Sequence, residues 1–135
     1  QLEGHFSLER DEQLTITLES FGFRNGVPRE ADLVMDVRFL KNPNWVSRLK
    51  PLTGLDQDVG EYIEQDDIFI PFLENLKTLI APLLPRYKQE GKNYLTIAIG
   101  CTGGHHRSVY TVEKLAEWLE TKGYRSRKLH RDIAI

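Results

Sequence analysis

Apolar residues along this chain recur with two different periods, and the changeovers mark its elements. Leu14, Ile16 and Leu18 alternate with Thr15, Thr17 and Glu19, the two-residue period of a strand with one buried face. An edge position in its sheet is expected. Asn25-Gly26 followed by Pro28 marks a turn, after which Leu33-Val34-Met35-Asp36-Val37 is almost continuously apolar, as in a strand covered on both faces. Residues 39 to 56 carry Asn42-Pro43-Asn44, Pro51 and Thr53-Gly54 without a sustained period. They predict a long ordered loop, and such a loop in a small domain is more often functional than idle.

From residue 68 to residue 87 the spacing changes to threes and fours: Phe69, Phe72, Leu73, Leu76, Leu79, Ile80, Leu83, Leu84 and Tyr87 describe a core-facing helix. Pro71 suits its first turn, whereas Pro82 and Pro85 should kink or end it. Gly91 closes this region, and Tyr94-Leu95-Thr96-Ile97-Ala98-Ile99 is the most strand-like run in the chain, expected at the centre of the sheet. Val109, Val112, Leu115, Ala116 and Leu119 mark a second amphipathic helix stopped by Lys122-Gly123, and residues 125 to 131 read as a final strand or tail. Strand and helix alternating in this way predict an α/β fold: one domain, a small and mainly parallel sheet flanked by helices, with right-handed crossovers. Residues 1 to 12, charged and without apolar period, read as a linker or frayed entry to a domain over 13 to 135.

Composition narrows the class without changing that picture. The length of 135 residues suits one core, and 40% hydrophobic with 28% charged residues is ordinary for a folded domain. No run approaches the roughly 20 apolar residues of a membrane span and the first residues lack an export signal, so no membrane association and a cytoplasmic location are expected. A chain that opens on Gln is expected to be a processed product or a piece of something longer. The single cysteine, Cys101, has no internal disulfide partner, which suits a reducing compartment and leaves a free thiol. A net charge of −2 argues against a broadly basic nucleic-acid surface but leaves room for a local patch.

The candidate chemistry lies between the central strand and the last helix, in Gly100-Cys101-Thr102-Gly103-Gly104-His105-His106-Arg107-Ser108. This is the carboxyl end of a strand, where open α/β sheets place ligands. Gly103 and Gly104 allow close backbone approach, the helix start offers unpaired N–H groups, and Arg107, His105 and His106 add positive or hydrogen-bonding groups, together a strand-loop-helix site for a phosphate or carboxylate. The plain alternative is a glycine-rich connection in which Thr102 or Ser108 caps the helix. The spacing of Cys101, five residues, Arg107 and Ser108 also matches the Cys-x5-Arg-Ser loop of protein tyrosine phosphatases, in which a cysteine with a lowered pKa attacks phosphorus. The bland reading of Cys101 is a small buried thiol at a strand end.

Parallel strands would bring Asp36 and Arg38 to the same sheet edge. There Arg38 would take a second anionic group and Asp36 an amine or hydroxyl, unless the two simply pair and fix their loop. His5 and His130 have no evident partners and are expected at the surface. No metal site is expected without a ligand cluster. Lys122, Arg125, Arg127, Lys128 and Arg131 form a basic stretch suited either to RNA phosphates or to solvent.

Several spaced segments together carry a family resemblance: Ser20-Phe21-Gly22-Phe23, Asp36-Val37-Arg38-Phe39-Leu40, Asn42-Pro43, Thr53-Gly54 with Asp56, and Gly100-Cys101-Thr102-Gly103-Gly104 with His106-Arg107-Ser108-Val109. In this order, over about residues 14 to 133, the chain resembles the C-terminal domain of the RNase adapter protein RapZ and its relatives. The resemblance implies a non-catalytic regulatory role without a cofactor. In that family the domain follows an N-terminal P-loop domain, binds small regulatory RNA, contacts RNase E, self-associates, and senses glucosamine-6-phosphate in the control of cell-envelope precursors. Carried over by position, the sugar phosphate would lie on Thr102, Gly103, Gly104, His105, His106, Arg107 and Ser108, with Asp36, Arg38 and Asn42 completing the site, and RNA on the basic stretch. A homodimer or larger assembly is likewise implied.

The family's P-loop is not in these residues, which hold no Gly-x4-Gly-Lys-Ser/Thr. His105 stands where enterobacterial members are expected to carry Lys, which would make affinity for the ligand more dependent on pH. Where those members carry a Lys-rich extension, this chain reads Asp132-Ile133-Ala134-Ile135 after His130-Arg131. Of the three readings that result, a sugar-phosphate sensor and a cysteine phosphatase predict opposite consequences for Cys101→Ser, and an RNA-binding domain as such predicts steep salt dependence and loss on neutralising Arg125, Arg127 and Lys128.

Overall fold

The computed structural model describes residues 14–133; the entry segment 1–12 and His5 lie outside them. Strands β1 (Thr15–Gly22), β2 (Leu33–Asp36), β3 (Tyr94–Cys101) and β4 (Arg125–His130) form one sheet in the order β2-β3-β1-β4, and every pairing is parallel. Helices α1 (Gln57–Glu64), α2 (Phe69–Ile80), α3 (Leu83–Gln89) and α4 (Arg107–Thr121) flank it. The fold is α/β, and β3 takes the central place its apolar run implies, with Leu95, Ile97, Ala98 and Ile99 all buried.

Two expectations about strands exchange places. β1 is internal, bonded to β3 on one side and β4 on the other, not at an edge. Its threonines are half-buried because one face of the sheet is thinly covered: the Arg127 Nε–H donates to Thr17 Oγ1 across that face at 2.9 Å. Alternation therefore reported a half-covered face, which an internal strand can also have. β2 is the edge strand and is not covered on both faces. Leu33 and Met35 pack on the core while Val34 is 46% exposed. Asp32 extends the pairing by accepting from the Thr96 N–H.

Ile16, Leu18, Ile97 and Ile99 enter one core with Leu73, Ile80, Leu84, Val112, Leu115 and Leu119. α4 packs across β1, β3 and β4 with the i, i+3 and i+4 face that includes Val112, Leu115 and Leu119. The long apolar run ends as α2 at Ile80 and restarts as α3 after Pro82, since proline lacks the N–H that would continue the helix. α1 has no counterpart in the sequence reading. Only Val59 and Ile63 among its larger side chains are buried, too short a stripe to show a period. α4 stops at Lys122-Gly123, where Gly123 takes φ +82°. No single helix among the described residues is long and apolar enough to cross a membrane.

His130 is not the solvated residue expected from sequence. It ends β4 half-buried, with Nδ1 2.8 Å from Ser20 Oγ and Nε2 2.7 Å from Glu113 Oε2. It thus ties β4 to β1 and α4.

Candidate anion-binding site

β3 runs out at Cys101 and α4 begins at Arg107, so the five residues between them must reverse direction over the carboxyl edge of the sheet. The turn is shaped by close backbone packing. Gly104 has φ +79°, and a Cβ there would sit 2.5 Å from the Gly22 nitrogen. A Cβ on Gly22 would sit 2.4 Å from the Gly103 carbonyl carbon. Neither position tolerates a side chain, which presses the loop flat against the end of β1. From the other side the Gly54 N–H donates to the His105 carbonyl at 2.8 Å, and a Cβ on Gly54 would lie 2.5 Å from the His106 oxygen. Asp56 holds the Gly54 segment by accepting from the Thr53 N–H at 2.8 Å.

The loop so held walls a cavity of about 360 Å³ with Cys101, Thr102, Gly103, His105, His106 and Arg107. The facing wall comes from Arg24, just after β1, and from Asn42, Asn44 and Lys50 in the long loop. Tyr110 donates to the His106 carbonyl, the first bond of α4, which leaves the preceding amides without partners inside the helix. Their partial positive charge adds to that of the side chains.

Arg107 is 4% exposed. Its Nη1 donates to the carbonyls of Arg38 at 2.7 Å and Leu40 at 3.1 Å, and Nη2 lies 3.4 Å from Thr102 Oγ1. Its Nε is buried without a partner among the described residues, as is Nε2 of His106. Burial holds His106 below the ordinary imidazole value, so it is neutral near pH 7. Burial also lowers Arg107, which nevertheless stays charged.

The structure distributes the remaining sequence candidates as follows. Ser108 is buried, with Oγ 3.2 Å from Cys101 Sγ, and Gly104 is spent on backbone packing; neither lines the cavity. Asn42 does line it, while its Oδ1 accepts from the Asn44 N–H at 3.0 Å and caps the turn Pro43–Trp45. Asp36 and Arg38 stand at the same sheet edge as Cys101 but outside the lining, paired with each other through Arg38 Nε and Nη2 at 2.7 to 3.0 Å. Hydrogen bonding from Arg38 holds the Asp36 carboxyl below its usual range, and the Arg38 guanidinium stacks 4.0 Å over the Phe23 ring. Arg24, Asn44 and Lys50 were missed by the sequence reading. Each sits beside a glycine or proline turn, before Gly26, after Pro43 and before Pro51, with no period or spacing to relate it to the loop.

The basic stretch does not face one way. Lys128 pairs with Glu113 and Arg131 with Asp132, each at 2.9 Å, and Arg131 also donates to the Gly26 carbonyl. Lys122, Arg125 and Arg127 are exposed. Among the described residues no cluster of three His, Cys, Asp or Glu side chains is placed to hold a metal ion.

The family described as RapZ C-terminal domain matches residues 14–134. A nucleotide-binding protein of Rhodospirillum centenum is 58% identical over 132 residues, covering 98% of this chain and 40% of that protein. One of Rhodospirillum rubrum is 55% identical, covering 98% and 41%, and one of Corynebacterium aurimucosum is 47% identical over 134 residues, covering 98% and 46%. The chain spans about two fifths of the length of these curated relatives.

Proposed function

The chain belongs to the RapZ C-terminal domain family, and from that premise we propose that it is a regulatory ligand-binding domain whose cavity takes a phosphorylated amino sugar, glucosamine-6-phosphate being the first candidate. The observation that carries this reading is the cavity between the loop after Cys101, with Arg107, and a facing wall that brings Arg24 and Lys50. Those groups suit the tetrahedral oxygens of a phosphate monoester. The signal would pass to small regulatory RNA or to a protein such as RNase E, in a homo-oligomer. RNA contact would rest on the exposed Lys122, Arg125 and Arg127, with Lys128 and Arg131 available once their carboxylate partners yield. The relatives' name, nucleotide-binding protein, is not carried over, because these residues hold no Gly-x4-Gly-Lys-Ser/Thr.

A cysteine phosphatase remains the alternative because Cys101 and Arg107 line the same cavity. Binding is favoured over catalysis on two grounds. Two of the contacts made by the Arg107 guanidinium are to backbone carbonyls, and among the described residues no Asp or Glu lines the cavity to protonate a leaving group.

Isothermal titration of glucosamine-6-phosphate, with glucosamine and inorganic phosphate as controls, tests the sensor reading. Saturable binding that survives Cys101→Ser and is lost in Arg107→Ala, with both variants folded by circular dichroism, is the expected result. Failure of every phosphorylated sugar to bind would overturn it. Phosphate release from an aryl phosphate that Cys101→Ser abolishes would favour the enzyme.

A further inference from the structure

The helices share one core on one face of the sheet, and the other face is left partly open. Ile16, Leu18, Leu95, Ile97 and Ile99 enter the helical core, and Lys128 and His130 reach Glu113 of α4 on that same side. The alternate residues of β1, β3 and β4 therefore share the opposite face. At its carboxyl end the segment after β1 closes this face, with the Phe21 and Phe23 rings 4.8 Å apart and both against Gly100. Toward the amino end that cover stops. There Tyr94 is 75% exposed, and Thr15, Thr17 and Thr96 are half-buried. An all-parallel sheet is ordinarily buried on both faces, which makes this opening a candidate surface for a partner.

The parallel register sets two rows across the open area: Tyr94, Thr15 and Arg125 in one, Thr96, Thr17 and Arg127 in the next. In the first row the ring and the guanidinium stand two strand spacings apart, roughly 10 Å. Arg127 is anchored by donating from Nε to Thr17 Oγ1 at 2.9 Å, which leaves its Nη groups free. Neither guanidinium pairs with a carboxylate among the described residues, in contrast to Lys128 and Arg131. The carboxylates that border the open area on its own face are withdrawn, Asp32 into a 2.9 Å pair with Lys92 and Glu19 into the closed end. On the helix side, by contrast, Glu113, Glu117 and Glu120 flank β4 and would repel an anion. The sheet face is thus where the cations of β4 meet no opposing charge.

We infer that this open amino-terminal half of the sheet face binds single-stranded RNA, with a base stacked on Tyr94 and the neighbouring phosphates held by Arg125 and Arg127. The inference rests on the reading of the basic stretch as an RNA contact, and assigns that contact a surface and a mode. A nucleotide presents an apolar base and an anionic phosphate, and the rows offer an exposed ring and two unpaired guanidiniums in fixed register. Stacking requires an unpaired base, and the flat face carries no helix or ribbon that could enter a duplex groove. A protein partner is matched less well. Val34 and Leu129, the exposed apolar residues of the next row, are separated by Ala98 and Glu19 and form no apolar centre of the kind interfaces bury. The surface lies at the opposite end of the strands from Cys101, so RNA here leaves the anion cavity open.

The test is fluorescence anisotropy of a labelled oligouridine and of a duplex RNA of the same length, titrated at several salt concentrations. The proteins are the wild type, Tyr94→Ala, Tyr94→Phe and Arg125→Gln/Arg127→Gln, each shown to be folded by thermal melting. Tyr94→Ala should weaken oligouridine binding about tenfold, Tyr94→Phe should retain the wild-type affinity, and neither should change duplex binding. Arg125→Gln/Arg127→Gln should flatten the slope of log affinity against log salt by about 1.4, two phosphate contacts at about 0.7 each. Oligouridine binding indifferent to Tyr94→Ala, or a preference for the duplex, would overturn the stacking face while leaving the basic stretch to hold RNA by charge alone. Binding of neither RNA would remove the RNA reading and this inference with it, and would leave the sugar-phosphate sensor untouched. Self-association abolished by Tyr94→Ala in a chain that binds no RNA would assign the face to a second copy instead.

Discussion

The Arg107 guanidinium donates through Nη1 to the Arg38 carbonyl at 2.7 Å, joining the first residue of α4 to the loop that leaves β2. One side chain thereby fixes the distance between the two walls of the cavity. A lysine at this position has a single nitrogen and cannot reproduce a fork that also reaches the Leu40 carbonyl and approaches Thr102 Oγ1. Arg107→Lys is expected to lower stability by roughly 1 to 3 kcal/mol, since it strands buried carbonyls while keeping the charge. Urea denaturation should show a lower midpoint at unchanged slope. An unchanged midpoint would mean that the fork is not structural.

The close approach of Gly22 to Gly104 yields a second expectation. Gly104→Ala combines a left-handed backbone with a Cβ 2.5 Å from the Gly22 nitrogen. The cost should be at least about 2 kcal/mol, and anion affinity should fall with it because the loop must lift off β1. Gly123→Ala is the control. Its φ of +82° is comparable but nothing stands within 4 Å, so only the backbone strain of roughly 1 kcal/mol applies. Equal losses in the two variants would show that packing against β1 is not what shapes the loop.

Much of this was legible in the sequence, and the failures share a cause. β3, α4 and the loop between them have strong local signals: a β-branched apolar run, a helical apolar stripe, and two adjacent glycines. The same kind of reading misplaced β1 and β2, because period describes how a strand's faces are covered and carries nothing about which strands lie beside it. His130 was misjudged for a related reason. Its partners Ser20 and Glu113 are 110 and 17 residues away, brought to it by the parallel register of β1 with β4 and by the packing of α4 on β4. Arg24 and Lys50 reach the cavity through irregular segments, where no periodicity exists to read.

The Ser20–His130–Glu113 link should be measurable as stability. His130→Ala removes a half-buried ring and leaves buried Ser20 Oγ and the Glu113 carboxylate short of a partner, although Lys128 still reaches Glu113 at 2.9 Å. A loss of roughly 1 to 3 kcal/mol is expected, with native-state hydrogen exchange accelerating in β4 more than in β3. A uniform increase across the sheet would contradict a local role for the link.

Glu19 provides the pH-dependent case. It faces away from solvent in β1 at 1% exposure with Oε1 unpartnered among the described residues. Burial, followed by hydrogen bonding and repulsion from Glu30, pushes its carboxyl from an ordinary value of 4.5 up to about 7, against the pull of Arg131. A raised carboxyl binds more protons in the folded than in the unfolded chain between those two values. Stability contributed by the protonated form is therefore complete below about pH 4.5, declines as pH rises, and is gone above about 7. Glu19→Gln keeps the shape and cannot ionise. Relative to wild type it should be close to neutral at pH 5 and stabilising by on the order of 2 kcal/mol at pH 8. Urea denaturation of both proteins at pH 5, 6.5 and 8 reads this directly. A difference that stays constant over the range would place the proton elsewhere, and one that favours wild type at pH 8 would show that the ionised Glu19 is held by Arg131.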